Sequence, residues 1–529
     1  PTMITVASMK RALPILIGIP ILLASSCKVG PNYQTPKASV AGQWMENSAV
    51  TNRPPAIAEV YWWRNFNDPT LDQLIVTACR SNLSLQAAGV RILEARAQLN
   101  RSIGNLFPQQ QTVSGQLNYS RLNAASGAVP GINSDFLSDQ MLFAATWEID
   151  FWGKYRRGIE SDRAAFLGSL AAYDDAMVTL IADVASTYVN IRTLEERLQV
   201  ASRNLETQKE SLRIATARFN AGETGELDVQ QAATQFAQTE AQIPVLTEAL
   251  SQDKNGLAVL LGERPDEIGR QLTGPAAIPV APTNVAVGIP KDLLRRRPDV
   301  RVAGLTAASS SALIGVAKSS LYPAFSLSGE FGFSGNNQAN NSLSDMFNWQ
   351  NRAINAGAGV VMPVFNYGRL MNQVRVQDAQ FQQAVLNYQN TVLAAQQEVE
   401  NGLASFANEQ DALVSLNQAA GSARRSTDLA MIQYKGGQTD YTTVLTAEQA
   451  ELSVENNVAS TKGNVALGLI AVYRALGGGW EIRGDRDVIS DEVKAEMKRR
   501  TDWGRMLDPS HHLPKTSPVA GVNETKANP

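Results

Sequence analysis

The side chains that could carry chemistry are few and poorly placed for it. The two histidines, His511 and His512, are adjacent in a polar stretch near the end of the chain, where they could hold a stray metal ion and little else. GAGVVM at 357–362 lacks the last glycine of a dinucleotide-binding loop, and no pair of acids stands out as a general acid and base. The two cysteines, Cys27 and Cys79, have such different surroundings that no disulfide framework follows; Cys79, in LIVTACRSNLSL, reads as a buried helical thiol. A net charge of −3 over 529 residues offers no basic field for nucleic acid. An enzyme is therefore the weakest of the function classes. The residues that invite a role lie at two sharp turns, FNAGETGELDV at 219–229 and YKGGQTDYTTV at 434–444.

Those turns are two copies of one feature. Phe219 matches Tyr434, Gly222 matches Gly437, Thr224 matches Thr439, and the same offset of 215 joins Phe107-Pro108 to Tyr322-Pro323 and Leu261-Gly262 to Leu476-Gly477. One register held without a gap means one structural unit used twice. Within each unit apolar residues first recur at sevens: Val184, Ile191, Leu198, Leu205, Leu212 and Phe219, with Leu194, Ala201, Gln208 and Ala215 in a second row. That spacing predicts a coiled-coil-like helix over 154–219, which at 1.5 Å per residue is ~99 Å long. A helix over 225–262 follows, and 369–434 and 440–476 repeat the pair. At each turn, Gly222, Gly436 and Gly437 are expected to take the left-handed conformation that ends a helix, and Thr224 and Thr439 to cap the next one. Phe219 and Tyr434 are expected to fix how the turns pack, and Asp228 to be a solvated first-turn acid.

Before each long helix the period drops to two. Met141, Phe143, Ala145, Trp147 and Ile149 alternate with more polar neighbours, as do Val113, Gly115, Leu117 and Tyr119, then Phe325, Leu327, Gly329, Phe331 and Phe333, then Ile354, Ala356, Ala358, Val360 and Met362. Each run nears the ~9–11 residues that a tilted strand needs to cross a bilayer. Strands are predicted near 110–121, 138–151, 323–335 and 351–366. No apolar run after the N-terminal region reads as long enough for a spanning helix, so any crossing must use strands. Four strands cannot close a barrel, whose smallest membrane examples have ~8, whereas three copies would supply twelve. A threefold axis would also gather three Asp440 carboxylates at the narrowest point, a ring that attracts cations. The alternative role for Asp440 is helix-start chemistry, since the dipole favours a first-turn acid by ~0.3–1 kcal/mol, and both can hold. Its repeat partner is Gly225, so the turn itself needs no acid.

The N-terminal MKRALPILIGIPILLASSC, from Met9, has a basic start, a short apolar run and small residues before Cys27, the layout of a secretory leader. A cysteine at that exit suggests a lipid-bearing residue, with a plain secretory signal as the alternative. Cys27 followed by VGPNYQTP, with LLRRRPDVR at 293–301, LYP at 321–323 and YKGGQTDYTTVLTAEQ at 434–449, resembles the TolC-like outer-membrane efflux duct family, in its lipoprotein NodT branch. The resemblance implies a mixed α/β membrane protein: a homotrimer whose twelve-stranded transmembrane β-barrel, four strands from each chain, continues as a long α-helical tunnel through the periplasm. It implies a passive exit duct in the outer membrane of a Gram-negative bacterium, lipid-anchored at Cys27 and otherwise without cofactor. Its partners would be a periplasmic adaptor (a membrane fusion protein) and an inner-membrane pump of the resistance-nodulation-division type. The gate aspartate of the branch falls on Asp440, while acids that other members carry align with Thr443 and Thr446.

On this reading the chain divides into a lipoprotein leader at 9–26, an N-terminal periplasmic segment at 27–67 and a first repeat at 68–262. A linker at mid-height, 263–290, precedes the second repeat at 291–477 and a periplasmic tail at 478–529. Helices over 72–107 and 291–322 would lead into the strands. Arg295, Arg296 and Arg297 read as a charged helix end. A trimeric surface stalk or adhesin is the alternative, but a stalk has no need of a duplicated strand-and-helix unit.

Overall fold

Proline and asparagine, more than hydrophobic period, decide where the shorter helices begin. A computed structural model describes residues 28–45, 50–51, 60–121, 134–272, 276–282, 285–286, 296–337, 342–484 and 486–513. The leader and Cys27 lie outside the described residues. The expected helix over 72–107 is two, α1 (Pro69–Ser81) and α2 (Leu83–Gly104). Asp68 caps α1 ahead of Pro69, and Asn82 breaks the run because its side chain accepts from the Leu85 amide at 2.8 Å. Of the helix expected over 291–322, residues 291–295 lie outside the described residues; Arg296 is helical, Arg297 is not, and α5 (Pro298–Ser319) begins at Pro298, since proline suits a first helical position and disfavours helix at the residue before it.

The 215-residue offset recurs in the backbone. The long helices α3 (Lys154–Asn220) and α6 (Arg369–Lys435) each have 67 residues, and α4 (Glu226–Leu261) and α7 (Tyr441–Ala475) follow them. Three pairs of glycines at that offset have positive φ: Gly153 and Gly368 at 80° and 82°, Gly222 and Gly437 at 77° and 69°, Gly262 and Gly477 both at 69°. The repeat thus conserves its left-handed joints, where a Cβ would cost energy. An 18-residue apolar window occurs in α3 and another in α5, with mean hydropathy 1.3 and 1.4, contrary to the expectation that no such run exists. In α3 these are the Ala-rich turns near 164–182, where Ala164, Ala171 and Ala182 are buried inside the chain.

The chain folds as two compact units, and neither is a repeat. One combines described residues of 1–36, 94–168 and 304–387, and the other those of 37–93, 169–303 and 388–529. The first contains a four-stranded antiparallel sheet in the order β1 (Gln110–Arg121), β2 (Asp135–Ile149), β3 (Ala324–Asn336) and β4 (Arg352–Val361). Pairing aligns Val113, Phe143, Phe331 and Ile354 in one row across all four strands, and Trp147, Leu327 and Ala358 in another. The same face carries Leu117, Tyr119, Met141 and Val360, and most of these large apolar side chains are exposed. The opposite face presents Thr112, Ser114, Gln116, Gln140, Thr146, Ser326, Ser328 and Glu330. A sheet that leaves its apolar face bare and its polar face opposite is the lipid-out, water-in pattern of a membrane strand. Aromatic rings mark both strand ends. Phe151, Trp152, Tyr322 and Phe325 form one group, with Trp152 stacked on Tyr322 at 4.6 Å; Phe333 and Phe347 meet at 5.8 Å at the other end, near exposed Trp349.

The second unit is a helical bundle. Helix α7 approaches its neighbours closely through glycine: a Cβ on Gly463 would stand 2.3 Å from the Thr193 hydroxyl of α3. Trp62 lies flat on Tyr473, with centroids 5.2 Å apart, in a core that also holds Trp63, Leu71 and Leu74. Arg297 is no exposed helix end. It is buried, forms ion pairs with Asp299 and Glu398 at 2.7 Å each, and donates to the Ala475 carbonyl at the end of α7.

Candidate functional site at the helix turns

The site lies where α3 turns into α4 and α6 into α7. Both turns close the same way: the Gly222 amide donates to Phe219 O at 2.9 Å, and the Gly437 amide to Tyr434 O at 3.0 Å. Gly437 takes the left-handed conformation and Gly436 does not, so one glycine per turn makes the reversal. The caps also differ from the sequence expectation. The N-cap of α4 is Gly225, without a side-chain bond, and that of α7 is Asp440, whose carboxylate accepts from the Thr443 amide at 3.3 Å and the Thr443 hydroxyl at 3.2 Å. Neither Thr224 nor Thr439 is a cap; the Thr439 hydroxyl instead meets that of Thr443 at 2.8 Å. The helix start lies one residue past the threonine in both turns, so the carboxylate of Asp440 adds a side-chain cap to a start that Gly225 makes without one.

What joins the two turns is a cluster around Tyr434. This ring is fully buried among Ile214, Ala215, Ala232, Ala430, Tyr441 and Val444, and meets Tyr441 edge-on at 5.4 Å. Its hydroxyl donates to Asp228 at 3.0 Å, so Asp228 is a cross-turn acceptor and not merely a solvated acid. Burial first, and then the Asp228 carboxylate, push the Tyr434 hydroxyl up to about 12, which keeps it a donor at neutral pH. Arg218 approaches from α3. Its guanidinium lies 4.6 Å from the Tyr434 ring centroid, donates to the Tyr434 carbonyl and pairs with Glu223 at 3.2 Å. One residue of the second repeat is thereby held by an acid and a cation from the first. Phe219, the repeat partner of Tyr434, is 41% exposed and outside this cluster, contrary to expectation. Asp440 is exposed and stands apart from the Tyr434 tie, with its carboxylate toward Thr443.

Sequence reasoning picked out Tyr434 but missed Arg218 and the partner of Asp228. Arg218 has Gln433 at the corresponding place, so the repeat gave no signal for it. The missed contacts join residues more than 200 positions apart, beyond the reach of any local period.

The family profile described as outer membrane efflux protein matches residues 74–263 and 289–478, once in each repeat. Nodulation protein T of Rhizobium leguminosarum bv. trifolii is 29% identical over 434 residues, which cover 81% of this chain and 89% of its own. The solvent efflux pump outer membrane protein SrpC of Pseudomonas putida is 28% identical over 468 residues, 87% of this chain and 97% of its own. Among solved structures, the outer-membrane channel OprN aligns with a TM-score of 0.78 at 31% identity, across 86% of this chain and all of that one. Paired strands with a bare apolar face, long duplicated helices and a match in both repeats agree on one assignment: the chain belongs to the outer membrane efflux protein family, channels seated in the outer membrane.

Proposed function

We propose that three copies of this chain close a twelve-stranded barrel and form a passive duct, which carries small molecules out from an inner-membrane pump of the resistance-nodulation-division type through a periplasmic adaptor. The observation that carries this reading is the four-stranded sheet with its exposed apolar row of Val113, Phe143, Phe331 and Ile354. A sheet with open outer edges cannot remain in lipid, and four strands are about half of what the smallest barrel needs. The names of relatives support a small-molecule cargo: SrpC belongs to a solvent efflux pump, and another Pseudomonas putida relative to a toluene efflux pump. Cargo choice would rest with the pump, because a wide, polar duct selects little among small molecules. Cys27, which lies outside the described residues, would carry the lipid that anchors the N-terminus. The tie between Tyr434, Asp228 and Arg218 would hold the turns closed, and three Asp440 carboxylates would then surround the closed end.

Deleting the gene should sensitise the host to several chemically unrelated toxic compounds, and the wild-type chain should restore resistance together with cross-linked trimers and palmitate labelling that Cys27→Ser abolishes. Unchanged sensitivity, together with purified protein that conducts no ions in a planar bilayer, would overturn the reading.

A further inference from the structure

The seam between α3 and α7 changes character above the turns. Beside Val200 and Ile214, the α3 residues buried there are Ala201, Asn204, Gln208, Ser211 and Ala215, spaced by threes and fours, while Leu198, Leu205 and Leu212 are only partly buried. Small and polar side chains thus occupy the line expected to be leucine. Two carboxyls of α7 face it. Glu455 is well partnered: Asn204 donates to it at 3.1 Å, and Arg424 of α6 forms an ion pair with it. Glu448, two turns nearer the tip and 1% exposed, has only hydroxyl partners: that of Ser211 on Oε1 and the Tyr441 phenol beside it. Gln208 lies on α3 between these two rungs, is also 1% exposed, and has both amide atoms unpartnered; the buried Thr239 hydroxyl of α4 is unpartnered too.

The charges around Glu448 can be named element by element. On α7 itself are Glu451 and Glu455; on α6 is Arg424, which reaches Glu455 and, at 3.7 Å, Glu451. On α3, Arg203 stands 3.9 Å from Glu455, and on α4 the neutral Gln235 bonds to Gln449. The Tyr441 phenol lies beside Glu448. No cation pairs with Glu448 among the described residues, and burial, which the Ser211 and Tyr441 hydroxyls offset only in part, pushes the carboxyl up to about 7. A buried seam that supplies no cation accepts the neutral acid more readily than the anion.

We infer that Glu448 is a proton-operated latch on the tip: as the neutral acid it seals α7 against α3, and as the carboxylate it admits water to Gln208 and Thr239 and loosens that seam. The inference rests on the reading of the turns as the closing point of a duct. The closed form holds its proton more tightly than a hydrated open form with an ordinary glutamate, so it is fully favoured below the ordinary carboxylate range. As pH rises toward about 7 the ratio of closed to open falls by up to tenfold per unit, about 10²-fold per chain, and then levels off.

The test uses the full-length protein in planar bilayers from pH 5 to pH 8. Wild type should open more often as pH rises to 7, Glu448→Gln should stay flat at the low-pH level, and Asp440→Asn should keep the wild-type rise. A pH rise retained by Glu448→Gln, one abolished by Asp440→Asn, or none in a conducting wild type would overturn the latch alone. Wild type silent at every pH would instead remove the duct reading, and the latch with it. If Glu448→Gln fails to reach the membrane, trypsin cleavage of wild type after Arg218 and Lys435 serves, scaled to an unfolded peptide. Cleavage faster at pH 7.5 than at pH 6 supports the latch, and equal rates overturn it.

Discussion

Replacing Tyr434 by phenylalanine isolates the tie between the two turns. The ring keeps its place beneath Arg218 at 4.6 Å and against Tyr441 at 5.4 Å, and only the hydroxyl that donates to Asp228 is lost. A hydrogen bond to a charged group contributes ~1.5–3 kcal/mol, and half-exposure of Asp228 brings this toward ~1 kcal/mol. One such loss shifts a two-state balance about fivefold, and three acting together in a trimer shift it ~10²-fold toward open. The assay is the open fraction of single channels in a planar bilayer at pH 7, beside thermal unfolding of the same preparation. Tyr434→Phe should open far more often while unfolding within a few degrees of wild type. Because the hydroxyl is pushed to about 12 in the folded chain, the tie is intact below pH 10 and lost as pH rises through 12, where wild type should converge on the variant. Gating indistinguishable from wild type at neutral pH would refute the claim that this tie closes the tip.

Three further outcomes are expected. Asp440→Ala should raise conductance and weaken cation preference, and should also cost ~0.5–2 kcal/mol of local helix stability through the lost cap; unchanged selectivity would leave Asp440 a cap alone. Arg297→Ala should destabilise the helical unit by ~1–3 kcal/mol, read as a fall in the unfolding midpoint, chiefly because the buried Ala475 carbonyl loses its donor; Asp299 and Glu398 are exposed enough for water to replace much of the lost pairing. Phe331→Arg, on the apolar row of the sheet, should cost ~2–4 kcal/mol and reduce recovery from the outer membrane. Ser328→Arg, on the opposite face, should assemble normally; equal recovery of the two would contradict the assigned faces.

Much of the architecture was legible because it is written in local periods. Alternation at Met141–Ile149 and Phe325–Phe333 placed two strands and their faces, and the repeated glycines at 222 and 437 placed the turns. What could not be read depends on neighbours far away in sequence. Arg297 looks like any charged helix end until the end of α7 arrives above it. Helix α3 keeps its heptad spacing, yet the bundle buries Asn204, Gln208 and Ser211 more deeply than Leu205 and Leu212, with Asn204 and Ser211 bonded to Glu455 and Glu448 of α7. The one-residue shift in the caps is common to both turns, at Gly225 and at Asp440, so it belongs to the geometry of the turn and not to the side chain that fills the cap.

Duplication gave the two arms the same joints, but the clasp between them depends on their having diverged. Tyr434 offers a phenol where its twin Phe219 has none, Asp228 receives it where its twin is Thr443, and Arg218 clamps it where its twin is Gln433. Were drift or gene conversion to make the arms alike again, the chain would keep its helices and strands and lose its fastener. Selection on such a protein therefore has to hold backbone likeness and side-chain unlikeness at once, a few residues apart.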